Sequence, residues 1–320
     1  VQEFWQGLVR GKNGVARVTH FDPAGFPSTM AAEVKDFHPE NWLDKKSVGR
    51  TDRFTQFGLA ASAMAFQDAG LERSAFDPCR AGVIIGSGIG GSDSIEKGYL
   101  CLQQKGPHGL NPFFVSKLLI NMAASMVSIR YGLKGPLSAL SVACSTGANA
   151  IGDGFRIIQR GDADLMLAGS SEACITPLAY GGFCATRSMS RRNDRPDKAS
   201  RPFDKTRDGF VMGEGAGIVV LEELEHARKR GARIYAELSG YGSSADAYHV
   251  TAPEPDGQGM ARAMTLALED AGRVPSEIGY INAHGTSTEL NDKIESAAII
   301  RVFGAHAWRL KVSSIKSMIG

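Results

Sequence analysis

Short, unbroken apolar runs recur along the chain, most of them ending at glycine or at charged residues. They are AGVIIG at 81–86, DLMLAG at 164–169 and GIVVL at 217–221, followed by YINA at 280–283 and KVSS at 311–314. None alternates with polar residues over its length, which is how strands covered on both faces read. Between them lie stretches with helical spacing. Residues 52–69 place Phe54, Phe57, Ala61, Met64 and Ala65 on one stripe and stop at Gly70. Residues 145–159, 221–230, 257–271 and 291–303 follow the same plan, each with glycine just beyond its end. Strands alternating with helices of this length predict an α/β protein with a mostly parallel sheet.

The longest polar stretch, 187–208, is rich in Arg, Asp, Lys and Pro and reads as a surface loop. No low-complexity tract or short-period repeat interrupts the chain. A fainter echo is present: helix 52–69 leads to strand 81–86, helix 257–271 leads to strand 280–283, and both helices end in Asp-Ala-Gly (68–70 and 270–272).

Composition narrows the function classes. Net charge is +2, from 36 basic and 34 acidic residues, so no whole-chain attraction to nucleic acid is implied. Five scattered cysteines, with no C-x-x-C pair, predict neither a disulfide framework nor a zinc ribbon and point to a reducing compartment. No apolar run has the length of a membrane span, and the first residues lack a signal-peptide pattern.

Three places could carry chemistry. Cys144 lies between an apolar run and a helical segment, at a strand-to-helix turn where free N–H groups and the helix dipole favour a thiolate. His284 ends a strand and is followed by glycine and three hydroxyl residues. Lys316 follows the last apolar run between Ile315 and Met318. Taken singly, each has a plain alternative: a packed cysteine, a hydrogen-bonded core histidine, a solvated lysine. GSGIGG at 86–91 follows a strand, but its glycine spacing and the lack of a clear following helix or downstream acid argue against a dinucleotide fingerprint.

Together the signals resemble one family. ACSTGA around Cys144, NAHGTST around His284 and SSIKSMIG around Lys316 are similar to the motif blocks of the elongating type II β-ketoacyl-(acyl carrier protein) synthases. Stretches 111–136, 201–232 and 243–257 resemble the same group, so the likeness runs nearly the length of the chain. The resemblance implies the thiolase fold, a layered αβαβα arrangement of two duplicated halves. The first half is expected over 1–231, lacking its first strand, and the second, incomplete, over 232–320.

By the same resemblance Cys144 is the nucleophile that holds the growing acyl chain. His284 is one of two histidines stabilising charge on the malonyl thioester oxygen, and Lys316 supports the site with Glu295 as its glutamate partner. Ile89 and Phe183 match positions of the acyl pocket. Lys46, Arg50 and Arg187 match basic positions that dock the carrier protein. No cofactor and no metal is implied. The partners are acyl carrier protein and a second copy of the chain, with a dimer interface near 111–130 and the helix after Cys144. The setting is a bacterial cytoplasm or an organellar matrix or stroma. In the family the second histidine follows the position of Gly320, so the chain is expected to be truncated at both ends and weak in condensation. The competing readings are a polyketide ketosynthase, a degradative thiolase and a non-catalytic partner subunit.

Overall fold

The computed structural model describes all residues 1–320 and divides into two compact units that interleave along the sequence. One unit comprises residues 34–176 and 214–238; the other comprises 1–33, 177–213 and 239–320.

The 34–176/214–238 unit is built on a four-stranded sheet. Strand Ala81–Gly86 lies between Leu137–Ser138 and Leu165–Glu172, parallel to both, and Gly215–Glu222 pairs antiparallel with the outer side of Leu165–Glu172. The predicted run at 81–86 is buried at every position, as an all-apolar strand with both faces covered must be. Helices Arg53–Asp68 and Met122–Tyr131 pack over one face of the sheet, with Phe54, Phe57, Val83, Ile85, Val127, Leu165 and Leu167 in a common core. Ile84, Ala150 and Met166 make a second core with helix Thr146–Gln159, which follows Cys144.

Two expectations shift here. The stripe assigned to helix 52–69 holds at Phe54 and Phe57 but not at Met64, which is 49% exposed. The helix contacts both the sheet and a neighbouring helix, so its buried face widens to take in Leu59 and Phe66. A helix does open directly after GSGIGG, at Ser92–Lys105 with Gly91 as its N-cap.

The other unit holds a three-stranded sheet, Ala16–Arg17, Met30–Ala32 and Met212–Gly213, and a parallel pair, Tyr280–Asn282 and Lys311–Ser313. The predicted strands at 280 and 311 are therefore neighbours. The stretch 187–208 is less superficial than its polarity suggests: Met189, Ser190, Ala199 and Ser200 are buried, and the Ser190 hydroxyl donates to Asp208 at 2.7 Å.

The Asp-Ala-Gly echo is structural as well as sequential. Gly70 and Gly272 sit in the left-handed region, at φ +61° and +60°. In each case the glycine N–H bonds to a carbonyl three residues back, and the next N–H to one five residues back, closing the helix with a Schellman motif.

One ion pair braces the sheet unit. Glu214, whose side chain is 1% exposed, takes Arg53 in a two-pronged bond (2.8 and 3.1 Å) and accepts the Val34 N–H at 3.0 Å. The Arg53 guanidinium also lies 4.6 Å from the Phe57 ring centre. Removing one partner of a buried pair strands the other charge, so we expect Glu214→Leu to destabilise the protein by about 3 kcal/mol. Urea unfolding would report this as a lower midpoint at an unchanged slope.

Candidate active site

In the sheet unit, the carboxyl ends of the parallel strands converge on Cys144, the edge at which open α/β sheets bind ligands. The chain leaves strand Leu137–Ser138, turns through Ala143–Ser145 and enters helix Thr146–Gln159. Ala143 is forced to φ +47°, costly for a residue with a Cβ. The Thr146 hydroxyl holds this turn by donating to the Ala143 carbonyl at 2.8 Å and accepting the Val142 N–H at 2.9 Å. Cys144 is exposed, whereas Cys174 and Cys184 are buried. Burial, and then the Glu172 charge, push the Cys174 thiol up to about 12, which leaves it inert as a nucleophile at neutral pH.

The helix after Cys144 sits so close to the sheet that Gly86 has no room for a side chain. A Cβ there would collide with the Thr146 methyl group and the Leu140 carbonyl. Gly86→Ala is therefore expected to cost about 1–3 kcal/mol and to slow thiol alkylation at Cys144 by displacing its turn. Unfolding curves and timed intact-mass labelling would check both effects.

In the other unit the parallel strands Tyr280–Asn282 and Lys311–Ser313 release His284 and Lys316 beyond the carboxyl end that these two strands share. Glu295, buried on helix Glu289–Phe303, accepts the His284 N–H at 2.7 Å, the Gly285 N–H at 2.8 Å and the Asn291 amide at 3.2 Å. The Ser314 hydroxyl donates to the Gly285 carbonyl at 2.8 Å and accepts the Lys316 N–H at 3.3 Å, joining the two loops. Gly285, at φ +43°, is required because a Cβ would lie 2.5 Å from that of Ser314. Asp292 completes the support by accepting the Phe203 N–H at 2.7 Å.

Burial, reinforced by the nearby Lys316 charge, holds the His284 imidazole below its ordinary value near 6.5, against the opposing pull of Glu295 and Asp292. The ring is neutral at neutral pH and can present an N–H to an oxygen without carrying a charge. As pH falls below 6.5, the unfolded chain takes up this proton before the folded one does, so the folded state loses stability over the interval down to the depressed value. In His284→Gln that component vanishes. Paired urea titrations should show the unmodified protein losing stability more steeply than the variant as the pH is lowered.

The remaining anticipated residues divide between the units. Ile89, on the GSGIGG loop of the sheet unit, is 37% exposed. Lys46 and Arg50 are exposed on the short helix Lys45–Arg50, with Arg50 lying 4.4 Å from the Phe113 ring centre. Phe183 packs edge-on against Phe210 at 5.7 Å in the other unit, where Arg187 is exposed at φ +59°. Sequence reasoning missed Glu172, which accepts the Gly88 and Ile89 N–H groups at 2.8 and 3.1 Å. A carboxylate inside the otherwise small and apolar run AGSSEACI was the available signal. Because that carboxylate occupies the loop amides, GSGIGG is not an open phosphate cradle. No group of three or more His, Cys, Asp or Glu side chains could hold a metal, and no helix is long and apolar enough to cross a membrane.

Two family models match the chain: the β-ketoacyl synthase N-terminal domain over residues 1–227 and the β-ketoacyl synthase C-terminal domain over 235–320. The chain belongs to the β-ketoacyl synthase family. It is 52% identical to the 3-oxoacyl-[acyl-carrier-protein] synthase 2 of Coxiella burnetii and 49% identical to that of Staphylococcus aureus, each over 320 residues. All of this chain is covered in both cases, with 77% and 79% of the respective relatives. Among solved structures, a β-ketoacyl synthase from Burkholderia phymatum STM815 superposes with a TM-score of 0.91 at 37% identity, covering 100% of this chain and 77% of that one. A type II PKS acyl-carrier protein in complex with its ketosynthase, bound to the hexaketide, gives 0.91 at 38% identity, covering 100% and 78%. The fold is the thiolase fold anticipated from the motifs.

Proposed function

We propose that the protein is a 3-oxoacyl-(acyl carrier protein) synthase that extends acyl chains by two carbons with Cys144 as its nucleophile. The observation that carries this reading is the exposed Cys144 on a strained, hydroxyl-braced turn at the start of a helix. Such a turn presents a thiol to an incoming thioester rather than packing it away.

The thiolate of Cys144 attacks the acyl thioester of a carrier protein, and the carrier thiol leaves. A malonyl-carrier thioester then loses CO2, and the electrons of the broken C–C bond develop as an enolate. The neutral N–H of His284 is assigned to that oxygen, where a fixed donor lowers the barrier. The enolate carbon attacks the Cys144 thioester, the C–S bond breaks, and a 3-oxoacyl-carrier is released with the thiolate restored. Lys316 contributes positive charge and Glu295 fixes the His284 turn. Ile89 and Phe183 are read as walls of the acyl pocket. Lys46, Arg50 and Arg187 are read as steering an acidic carrier protein, a role in which charge mainly speeds encounter.

A second copy of the chain is read as covering the open strand edge at Leu137–Ser138, which is exposed and unpaired on its outer side. The boundary near residue 231 between two related halves is supported by the break between the family models, at 227 and 235. The relatives' bacterial sources favour a bacterial cytoplasm over an organelle. Identities of 49–52% to the 3-oxoacyl synthases, against 36–38% for the ketosynthases of polyketide and ishigamide systems, favour the fatty-acyl reading over the polyketide one.

The test is intact-mass labelling with cerulenin, an electrophile that alkylates condensing-enzyme cysteines, on the protein and on Cys144→Ala. A single adduct that disappears in the variant is expected. A folded, unlabelled protein would rule Cys144 out as the acyl acceptor.

A further inference from the structure

Strand Ala81–Gly86 runs in register with Leu165–Glu172 up to the pair Gly86 and Ser170. Beyond that pair the first chain bends away while the second continues to Glu172. The N–H groups of Gly88 and Ile89 therefore lose their backbone acceptors, and one side chain takes them over. Glu172 Oε2 accepts both, at 2.8 and 3.1 Å, while Oε1 accepts the Ser87 hydroxyl at 3.1 Å. The Ser87 oxygen in turn accepts the Gly90 N–H at 2.9 Å. Four consecutive loop residues thus hang, directly or through one hydroxyl, on a single half-buried carboxylate. The fit is close: a Cβ on Gly88 would lie 2.9 Å from Oε2.

The same loop is tied on its far side to the approach to the nucleophile. Ser87 N–H donates to the Leu140 carbonyl at 3.2 Å, and the Ser141 hydroxyl donates to the Gly88 carbonyl at 3.1 Å. Carboxylate, loop and the residues leading into the Cys144 turn form one hydrogen-bonded series, and the side chain this series carries at its bend is Ile89. We infer that Glu172 is a positioning residue which clamps the 87–90 loop and thereby sets how Ile89 selects the acyl chains that load onto Cys144. The inference rests on the reading of Cys144 as acyl acceptor and deepens it. A pin that merely held the fold together would lower loading of every acyl donor alike; a clamp on Ile89 changes the ratio between chain lengths.

The experiment measures loading of Cys144 by intact mass with a short and a long saturated acyl thioester. The protein is compared with Glu172→Leu, Glu172→Gln, Ser87→Ala, Ile89→Ala and the Glu172→Leu/Ile89→Ala double variant. Loss of hydrogen bonds to a charged group should move the long-to-short ratio in Glu172→Leu by about ten-fold. Glu172→Gln should restore most of it, because the amide oxygen can accept from the loop while its NH2 donates to Ser87. The Glu172→Leu and Ile89→Ala effects should not add, as expected for residues acting through one element. Ser87→Ala removes one arm of the clamp, should shift the ratio the same way by less, and carries the test if Glu172→Leu does not fold. Unchanged ratios in the folded variants, or additive effects, would overturn the inference. Failure of the unmodified protein to acquire an acyl group on Cys144 would overturn the acyl-acceptor reading and this inference with it.

Discussion

The sheet unit depends on how closely backbone can approach backbone along its strands. Three glycines set that distance. A Cβ on Gly82 would strike the Pro136 carbonyl, one on Gly86 the Leu140 carbonyl, and one on Gly169 the Gly217 carbonyl. With side chains absent at these points, neighbouring strands and the helix after Cys144 close onto the central strand. The Cys144 turn is then compressed into the short span where Ala143 must adopt a positive φ. The strain is local and the bracing is local: one threonine hydroxyl donates to the Ala143 carbonyl and accepts the N–H of Val142 just before it. A strained residue persists only where its surroundings over-determine it, and here both the sheet beneath and the helix behind do so.

The two units solve a shared problem with the same chemistry. One residue past the end of a parallel strand, two successive N–H groups have no neighbouring backbone carbonyl to bond to, and leaving them unpaired away from water is expensive. In one unit Glu172 accepts the amides of Gly88 and Ile89; in the other Glu295 accepts those of His284 and Gly285. Each carboxylate therefore orients a loop that carries a side chain assigned to the reaction. Glu295 sits on a helix and Glu172 at the end of a strand, so the likeness lies in the hydrogen bonds and not in the element that supplies them.

Much of this was legible in the sequence because it depends on local pattern. The runs at 81–86, 164–169, 217–221, 280–283 and 311–314 all contribute to strands. Covering of both faces, which unbroken apolar runs imply, is met only by Ala81–Gly86 and the first part of Leu165–Glu172, while Gly215–Glu222, Tyr280–Asn282 and Lys311–Ser313 are partly exposed. The helix expected at 221–230 shortens to Leu224–Lys229 because Leu221 and Glu222 remain in the sheet, paired with Met166 and Leu165. Met64 was misplaced because a helix touched from two sides does not bury a single stripe. Cys144, His284 and Lys316, the residues proposed to carry the reaction, stood out because each lies beside a turn rich in glycine or hydroxyl residues.

What the sequence hid is the set of partners brought from far along the chain. Glu172 lies more than eighty positions from the loop it holds, and Ser314 about thirty from Gly285. No spacing rule links them, because the link is made by strand pairing: Gly86 opposite Ser170 places the Glu172 carboxylate under the departing loop, and Asn282 opposite Ser313 places Ser314 beside the His284 turn. Register is therefore what converts motif into site. A one-residue slip between strands 81–86 and 165–172 would turn Glu172 to the opposite face and leave the Gly88 and Ile89 amides unpaired. The buried, largely apolar pairing of those strands, which defines the core, also aligns the polar groups at its edge.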